Sequence, residues 1–320
     1  MQQTAVVGKT MAPAEWLALA LLGLIWGGSF FFVAVALEEL PPLSIVWLRV
    51  GLAALALWLY CRLAGIRIPA GRSAVTAFAV MGLLNNAIPF SLIVWGQTQI
   101  AGGLASILNA TTPMFTVIVA HFAGGDERLT GGKLAGIFLG LAGVAAMFLP
   151  AIDSVSTEFS SPRQLPAQLA ILGAAFSYGL AAVFGRRFAR LGVPPVATAT
   201  GQLIASSLML APVFVIVDRP WHMALPGVET SLSVLGLALA CTAFAYVLYF
   251  RILARAGATN LSLVTFLVPV SAILLGAIFL AEELAPRHYA GMALIFAGLA
   301  VLDGRLAAAL PLSPRRSSRD

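Results

Sequence analysis

The sequence predicts an all-α integral membrane protein of ten transmembrane helices, arranged as two inverted five-helix repeats. Three observations predict it. The 320 residues are 60% hydrophobic and only 10% charged. Soluble domains carry about 25% charged residues, so this chain has too little charge to cover a surface facing water. The apolar residues form continuous runs of span length, where a β-barrel would alternate. The second half of the chain repeats the first.

A helix needs about 20 mostly apolar residues to cross a bilayer. Ten segments suit this length, at roughly 14–37, 43–61, 73–95, 101–123, 132–150, 167–186, 194–217, 230–250, 257–280 and 287–304. The run from Trp16 to Leu37 outlasts the core of a signal peptide, about 7–15 residues, and reads as a retained first span. Charge, Pro and Gly separate the segments. Glu38-Glu39-Leu40-Pro41-Pro42 ends the first, and Gly124-Gly125-Asp126-Glu127-Arg128 ends the fourth. Pro194-Pro195 and Asp218-Arg219-Pro220 bracket the seventh.

Basic residues favour cytoplasmic loops, and this bias orients the spans. With the N-terminus inside, 15 of the 19 basic residues fall on the cytoplasmic side. They are Lys9, Arg62, Arg67, Arg72, Arg128, Lys133, Arg186, Arg187, Arg190, Arg251, Arg255, Arg305, Arg315, Arg316 and Arg319. Only Arg163, Arg219 and Arg287 fall outside, and Arg49 lies within a span. The net charge of +6 therefore reads as membrane orientation rather than nucleic-acid binding. Both termini are expected in the cytoplasm, and the basic, Ser/Pro-rich tail 305–320 reads as disordered.

At a constant offset of 155, Glu127 meets Glu282, Leu129 meets Leu284, Gly136 meets Gly291 and Gly143 meets Gly298. At an offset of 156, Pro113 meets Pro269. Each repeat, 14–150 and 167–304, then holds five spans. Five is odd, so the second repeat enters the membrane from the opposite side. Inverted repeats are the usual plan of secondary transporters, with a substrate site near the midplane.

Several stretches resemble the drug/metabolite transporter superfamily in its EamA branch. They are "LIWGGSFF" from Leu24, "PLSIVWLRVGLAALAL" with its buried Arg49, and "ASILNATTPMFTVIVAHFAGGDERLTGGKLAGIFLGLAGV". "TNLSLVTFLVPVSAILLGAIFLAEELAPRHYAGMALIFAGLAVL" repeats the last pattern. The resemblance spans about 14–304. It implies ten helices in two inverted repeats around a central cavity. It also implies export or exchange of small metabolites across the cell (inner) membrane: amino acids, their relatives and some xenobiotics.

Polar or aromatic residues in mid-span are the candidates for lining such a cavity: Trp26, Asn86, Asn109, Thr112, Tyr178, Gln202, Tyr246 and Thr265. Asn85 and Asn86 cannot share one helical face; one amide is expected at the cavity and the other against a neighbouring helix. Arg49 is the one charge deep in a span. Such a charge faces protein or water; it either caps carbonyls of a neighbouring helix or anchors an anionic group. Its counterpart, counted from the two Pro-Pro pairs, is Gln202. Glu127 and Glu282 precede helix starts, where a carboxylate suits free N–H groups. Gly136, Gly140, Gly143, Gly291 and Gly298 read as close helix contacts.

The stretch "SILNATTPMFT" from Ser106 looks like a turn, or a glycan acceptor at Asn109-Ala110-Thr111. Its flanks are span-length, so it reads as a helix interrupted by Pro113. Pro113 leaves the carbonyl of Asn109 without its usual donor, and Pro269 does the same for Thr265. Paired bends at Asn109–Pro113 and Thr265–Pro269 are expected beside the cavity.

No metalloprotease, hydrolase-elbow or nucleotide-loop motif is present, so the chain is not expected to be an enzyme. The distant Cys61 and Cys241 suggest neither a disulfide framework nor a metal site. No cofactor is expected. The expected partners are a small-molecule substrate, the lipid bilayer and, for coupling, a proton or a counter-substrate. A channel or a scaffold without transport is the alternative.

Overall fold

A computed structural model describes residues 11–123, 130–148 and 164–302. Lys9, Glu127, Arg128, Arg163 and the tail 305–320 lie outside the described residues, as do the expectations placed on them.

Among the described residues every regular element is a helix. Helix α1 (Pro13–Ala36) and helix α2 (Pro42–Leu63) each start at a proline, whose missing N–H costs nothing at a helix start. A third long helix runs as α3 (Arg72–Gly82), a π-helical segment (Leu83–Ala87) and α4 (Ile88–Gln97). Then come α5 (Gly102–Asn109), α6 (Thr112–Phe122) and α7 (Gly131–Phe148). The second half opens with α8 (Gln164–Arg190) and α9 (Pro195–Val217). It continues as α10 (Val228–Leu235), a second π-helical segment (Gly236–Phe244) and α11 (Ala245–Ala256). The short α12 (Ala258–Leu261), then α13 (Val264–Phe279) and α14 (Pro286–Leu302) complete it.

Among the described residues seven helices, counting broken ones as one, are long and apolar enough to cross a membrane. Three further apolar helices are shorter: Gly131–Met147, Val264–Phe279 and Pro286–Leu302. Large apolar side chains cover the outside of the bundle, among them Leu17, Leu55, Phe138, Leu208 and Ile278. Such a surface suits lipid rather than water.

The tightest helix pairing joins α7 to α14, followed by α1 with α13, α2 with α9, and α4 and α6 with α8. Glycines explain the first. A β-carbon on Gly136 would sit 2.7 Å from the carbonyl oxygen of Gly298, and one on Gly143 would sit 2.6 Å from that of Gly291. Without a hydrophobic drive between helices in lipid, such close backbone approach supplies the attraction. Hydroxyls and a thiol add bonds between helices. Ser271 donates to the Gly23 carbonyl at 2.8 Å, Ser177 to the Leu84 carbonyl at 2.7 Å and Cys241 to the Ile25 carbonyl at 3.1 Å.

Three carboxylates serve helix starts in the opposite half. Asp218, Glu39 and Glu282 accept from backbone N–H groups of Ser44, Gly227 and the Gly102-Gly103 pair. The Glu282 case departs from the expectation that it caps its own helix. The N–H groups of α5 are uncovered by any side chain at Gly102 and Gly103, so the carboxylate reaches them at 2.8 and 3.0 Å.

Candidate functional site

A cavity of about 580 Å³ lies between the two halves of the chain. That size suits a small organic molecule, since ligand pockets run from about 300 to 1,000 Å³. α1 supplies Trp26, α2 supplies Arg49, α8 supplies Tyr178 and α9 supplies Gln202. α11 contributes Tyr246, and α13 contributes Thr265 and Pro269. Asn109 and Thr112 line it from either side of the gap between α5 and α6.

Asn86 and Pro113 are not among the lining residues. Asn86 is 0% exposed and its Nδ2 donates to the Tyr246 hydroxyl at 3.1 Å. The amide at the cavity is Asn85, which donates to the same hydroxyl at 3.0 Å and to Gln202 Oε1 at 3.5 Å. Asn85 rather than the expected Asn86 therefore borders the cavity, and both amides bond Tyr246 of a neighbouring helix. Both amides lie within the π-helical segment at Leu83–Ala87.

The interruption at Asn109–Pro113 is a short break. α5 ends at Asn109 and α6 begins at Thr112, with Pro113 second in the new helix. Pro113 needs no N–H there. The carbonyl it leaves free on Asn109 accepts from the Thr112 hydroxyl at 2.7 Å, and the Leu108 carbonyl accepts from Thr111 at 2.7 Å. The Asn109 Oδ1 is buried with no hydrogen-bond partner. The second half departs from the expected symmetry. α13 runs continuously through Pro269, and the interruption falls earlier, between α12 and α13 at Ser262-Leu263. A proline inside a membrane helix is accommodated by its surroundings, so it does not by itself fix where the chain breaks.

Arg49 is 6% exposed and borders the cavity. Its Nε donates to Thr242 Oγ1 at 2.9 Å, and that hydroxyl donates onward to the Leu237 carbonyl at 2.7 Å. The guanidinium carbon lies 3.9 Å from the centre of the Phe90 ring, a cation–π distance. Arg49 has no other hydrogen-bond or ion-pair partner among the described residues. Of the two sequence alternatives, carbonyl capping is not seen among the described residues: the one hydrogen-bond partner there is a hydroxyl. The second π-helical segment (Gly236–Phe244) creates that partner, since Thr242 bonds the carbonyl five residues back.

An aromatic group forms another wall. Trp26 and Tyr249 have ring centroids 5.6 Å apart, and Tyr249 meets Phe250 edge-on at 5.3 Å. Tyr246 stacks on Phe250 at 6.3 Å. Sequence reading missed Tyr249, Phe90 and Thr242. Tyr249 was findable, because it lies one turn from Tyr246 on the same helical face. The Thr242 contact joins residues 193 positions apart, and no local pattern reveals it. At the ends of α8 and α9 the cavity is bordered by Gly185, Phe188, Val193 and Pro195.

Comparison with known proteins adds four findings. The model of the EamA-like transporter family matches residues 14–149 and 165–302. The chain is 28% identical over 299 residues to the "Probable amino-acid metabolite efflux pump" of Escherichia coli K12, covering 90% of this chain and 94% of that protein. It is 27% identical over 290 residues to the "Uncharacterized inner membrane transporter YedA" of the same strain, covering 90% of each. A solved crystal structure shares the fold, with a TM-score of 0.64 at 20% identity over 92% of this chain and 99% of that one.

Proposed function

We propose that this chain, which belongs to the EamA-like transporter family, is a secondary transporter of the cell (inner) membrane that exports or exchanges small metabolites by alternating access. Amino acids and related compounds are the leading substrate class, with xenobiotics of similar size next. The single observation that carries this reading is the cavity. It is of metabolite size, and both halves of the chain line it with polar and aromatic side chains.

The helix pairings support two inverted repeats, 14–150 and 167–304, of five spans each. Exchange of the halves turns α7 with α14 into the same pair, and likewise α2 with α9. It turns the pairing of α1 with α13 into that of α8 with α5 and α6. Both halves also carry a π-helical segment in the third span of the repeat. Alternating access follows from such a plan when the halves rock about a fixed site. The distribution of basic residues supports cytoplasmic termini. The relative named for an inner membrane supports that location. Among the described residues that line the cavity there is no aspartate, glutamate or histidine. Coupling to a proton would therefore act outside the cavity wall, and counter-substrate exchange is the simpler mode.

Purified protein in proteoliposomes tests the reading. Saturable counterflow of labelled amino acids or organic cations is expected. Flux that does not saturate would point to a channel. No flux over a broad panel of amino acids, organic cations and neutral metabolites would overturn transport.

A further inference from the structure

We infer that Arg49 is a carboxylate-anchoring residue and that the transported molecule is a small carboxylate with an apolar, ring-accepting body; this rests on the transport reading above. The described residues that line the cavity bring one formal charge to it. Arg49 is the sole Asp, Glu, Lys, Arg or His among its described lining residues. The side chain is 6% exposed, so most of it is withdrawn from water. Only its Nε is bonded, to Thr242 Oγ1, and the Phe90 ring covers the guanidinium carbon at 3.9 Å. The terminal nitrogens have no protein acceptor among the described residues. Guanidinium donors form a planar fork that matches a carboxylate by two parallel bonds.

Among the described residues Arg49 has no carboxylate partner. The carboxylates of Asp218, Glu39 and Glu282 are bonded to helix-start N–H groups elsewhere. Thr242 fixes the fork's orientation, because its own proton is spent on the Leu237 carbonyl and it meets Arg49 as an acceptor. The position matching Arg49 in the other half is the neutral Gln202. The cavity's field is therefore one-sided, and an anion entering it is oriented as well as attracted. The rings of Trp26, Tyr249 and Phe250 give the rest of the molecule an apolar face. A zwitterion and a simple carboxylate share this chemistry. Only the zwitterion brings a cation for those rings, and the experiment separates the two.

The test is counterflow competition in proteoliposomes by four matched probes. L-phenylalanine and 3-phenylpropanoate carry the carboxylate; L-phenylalaninamide and 2-phenylethylamine lack it. In the wild type the acids should compete at least about tenfold better than their partners, the loss expected when a charge-assisted pair is absent. L-phenylalanine outcompeting 3-phenylpropanoate assigns a zwitterion; the reverse assigns a simple carboxylate. In Arg49→Gln the preference should collapse toward one, and Arg49→Lys should keep part of it. An acid preference near one in the wild type, or one that persists in Arg49→Gln, overturns the anchor and leaves transport standing. Counterflow of cations or neutral solutes with none of carboxylates also overturns the anchor alone. Absence of any saturable flux, these probes included, overturns the transport reading itself. Where Arg49→Gln fails to give monodisperse protein, the wild-type ratio and Arg49→Lys decide.

Discussion

Ser44 and Asp218 meet across 174 positions of sequence. The Asp218 carboxylate accepts the Ser44 backbone N–H at 2.6 Å and its hydroxyl at 2.7 Å. Ser44 lies in the first turn of α2 and Asp218 immediately follows α9. One carboxylate thus closes the start of one helix with the end of another.

Loss of this cap has a defined cost. Asp218→Ala should destabilise the protein by about 1–2 kcal/mol, the range for a helix-start cap. Thermal unfolding in detergent measures it. A melting temperature unchanged from wild type would show that Ser44 finds another acceptor.

The Tyr246 hydroxyl accepts from both Asn85 and Asn86. Tyr246→Phe leaves the buried Asn86 amide without that acceptor, at about 1–3 kcal/mol for a buried unpaired group, and takes from Asn85 one of its two acceptors. Asn85→Ala removes one donor at the cavity wall and leaves the Asn86 bond intact. The Tyr246 variant should therefore melt lower than the Asn85 variant. The opposite order would remove Tyr246 from the centre of this network.

The contact of α7 with α14 leaves no room for a side chain at Gly143. Gly143→Leu should cost at least about 1–3 kcal/mol through overpacking, because its β-carbon meets the Gly291 carbonyl. A β-carbon on Gly131 meets nothing within 4 Å, so Gly131→Ala serves as the matched control. Yield of monodisperse protein should fall for the first variant only. Equal yields would argue that the two helices can separate.

At the break between α5 and α6, Thr112→Val removes the hydroxyl that satisfies the Asn109 carbonyl. A net loss of about 0.5–1.5 kcal/mol is expected, again read by thermal unfolding. Asn109→Ala instead removes an amide from the cavity wall. It should change the apparent KM for counterflow severalfold while expression in the membrane holds. Collapse of expression would make Asn109 a structural residue.

Much of the fold is legible in composition and periodicity, because lipid demands long apolar helices and the chain supplies them. The cavity wall is partly legible for the same reason. Trp26, Asn109, Thr112, Tyr178, Gln202, Tyr246 and Thr265 stand out as polar or aromatic residues in apolar helices, and all border the cavity. What escapes is whatever depends on a change of helical register. Within the π-helical segment at Leu83–Ala87 it is Asn85, not Asn86, that borders the cavity. The break at Ser262-Leu263 lies away from Pro269, since tertiary packing rather than proline sets its place. The partner of Glu282 was hidden because Gly102 lies 180 residues away.

The three carboxylate caps bear on how easily such a protein changes shape. Each lies just past the end of one helix, at Glu39, Asp218 and Glu282, and reaches a helix start in the other half. The cavity residues Phe188, Val193 and Pro195 lie where α8 ends and α9 begins. That is the far end of α9 from Asp218. In the proposed cycle, exposing the cavity at the capped end would trade these bonds for bonds to water. Each exchange nets only about 1–2 kcal/mol, the range for a helix-start cap. Three such clasps set an equilibrium constant of a few powers of ten at most, a bias that thermal motion and one bound solute can reverse.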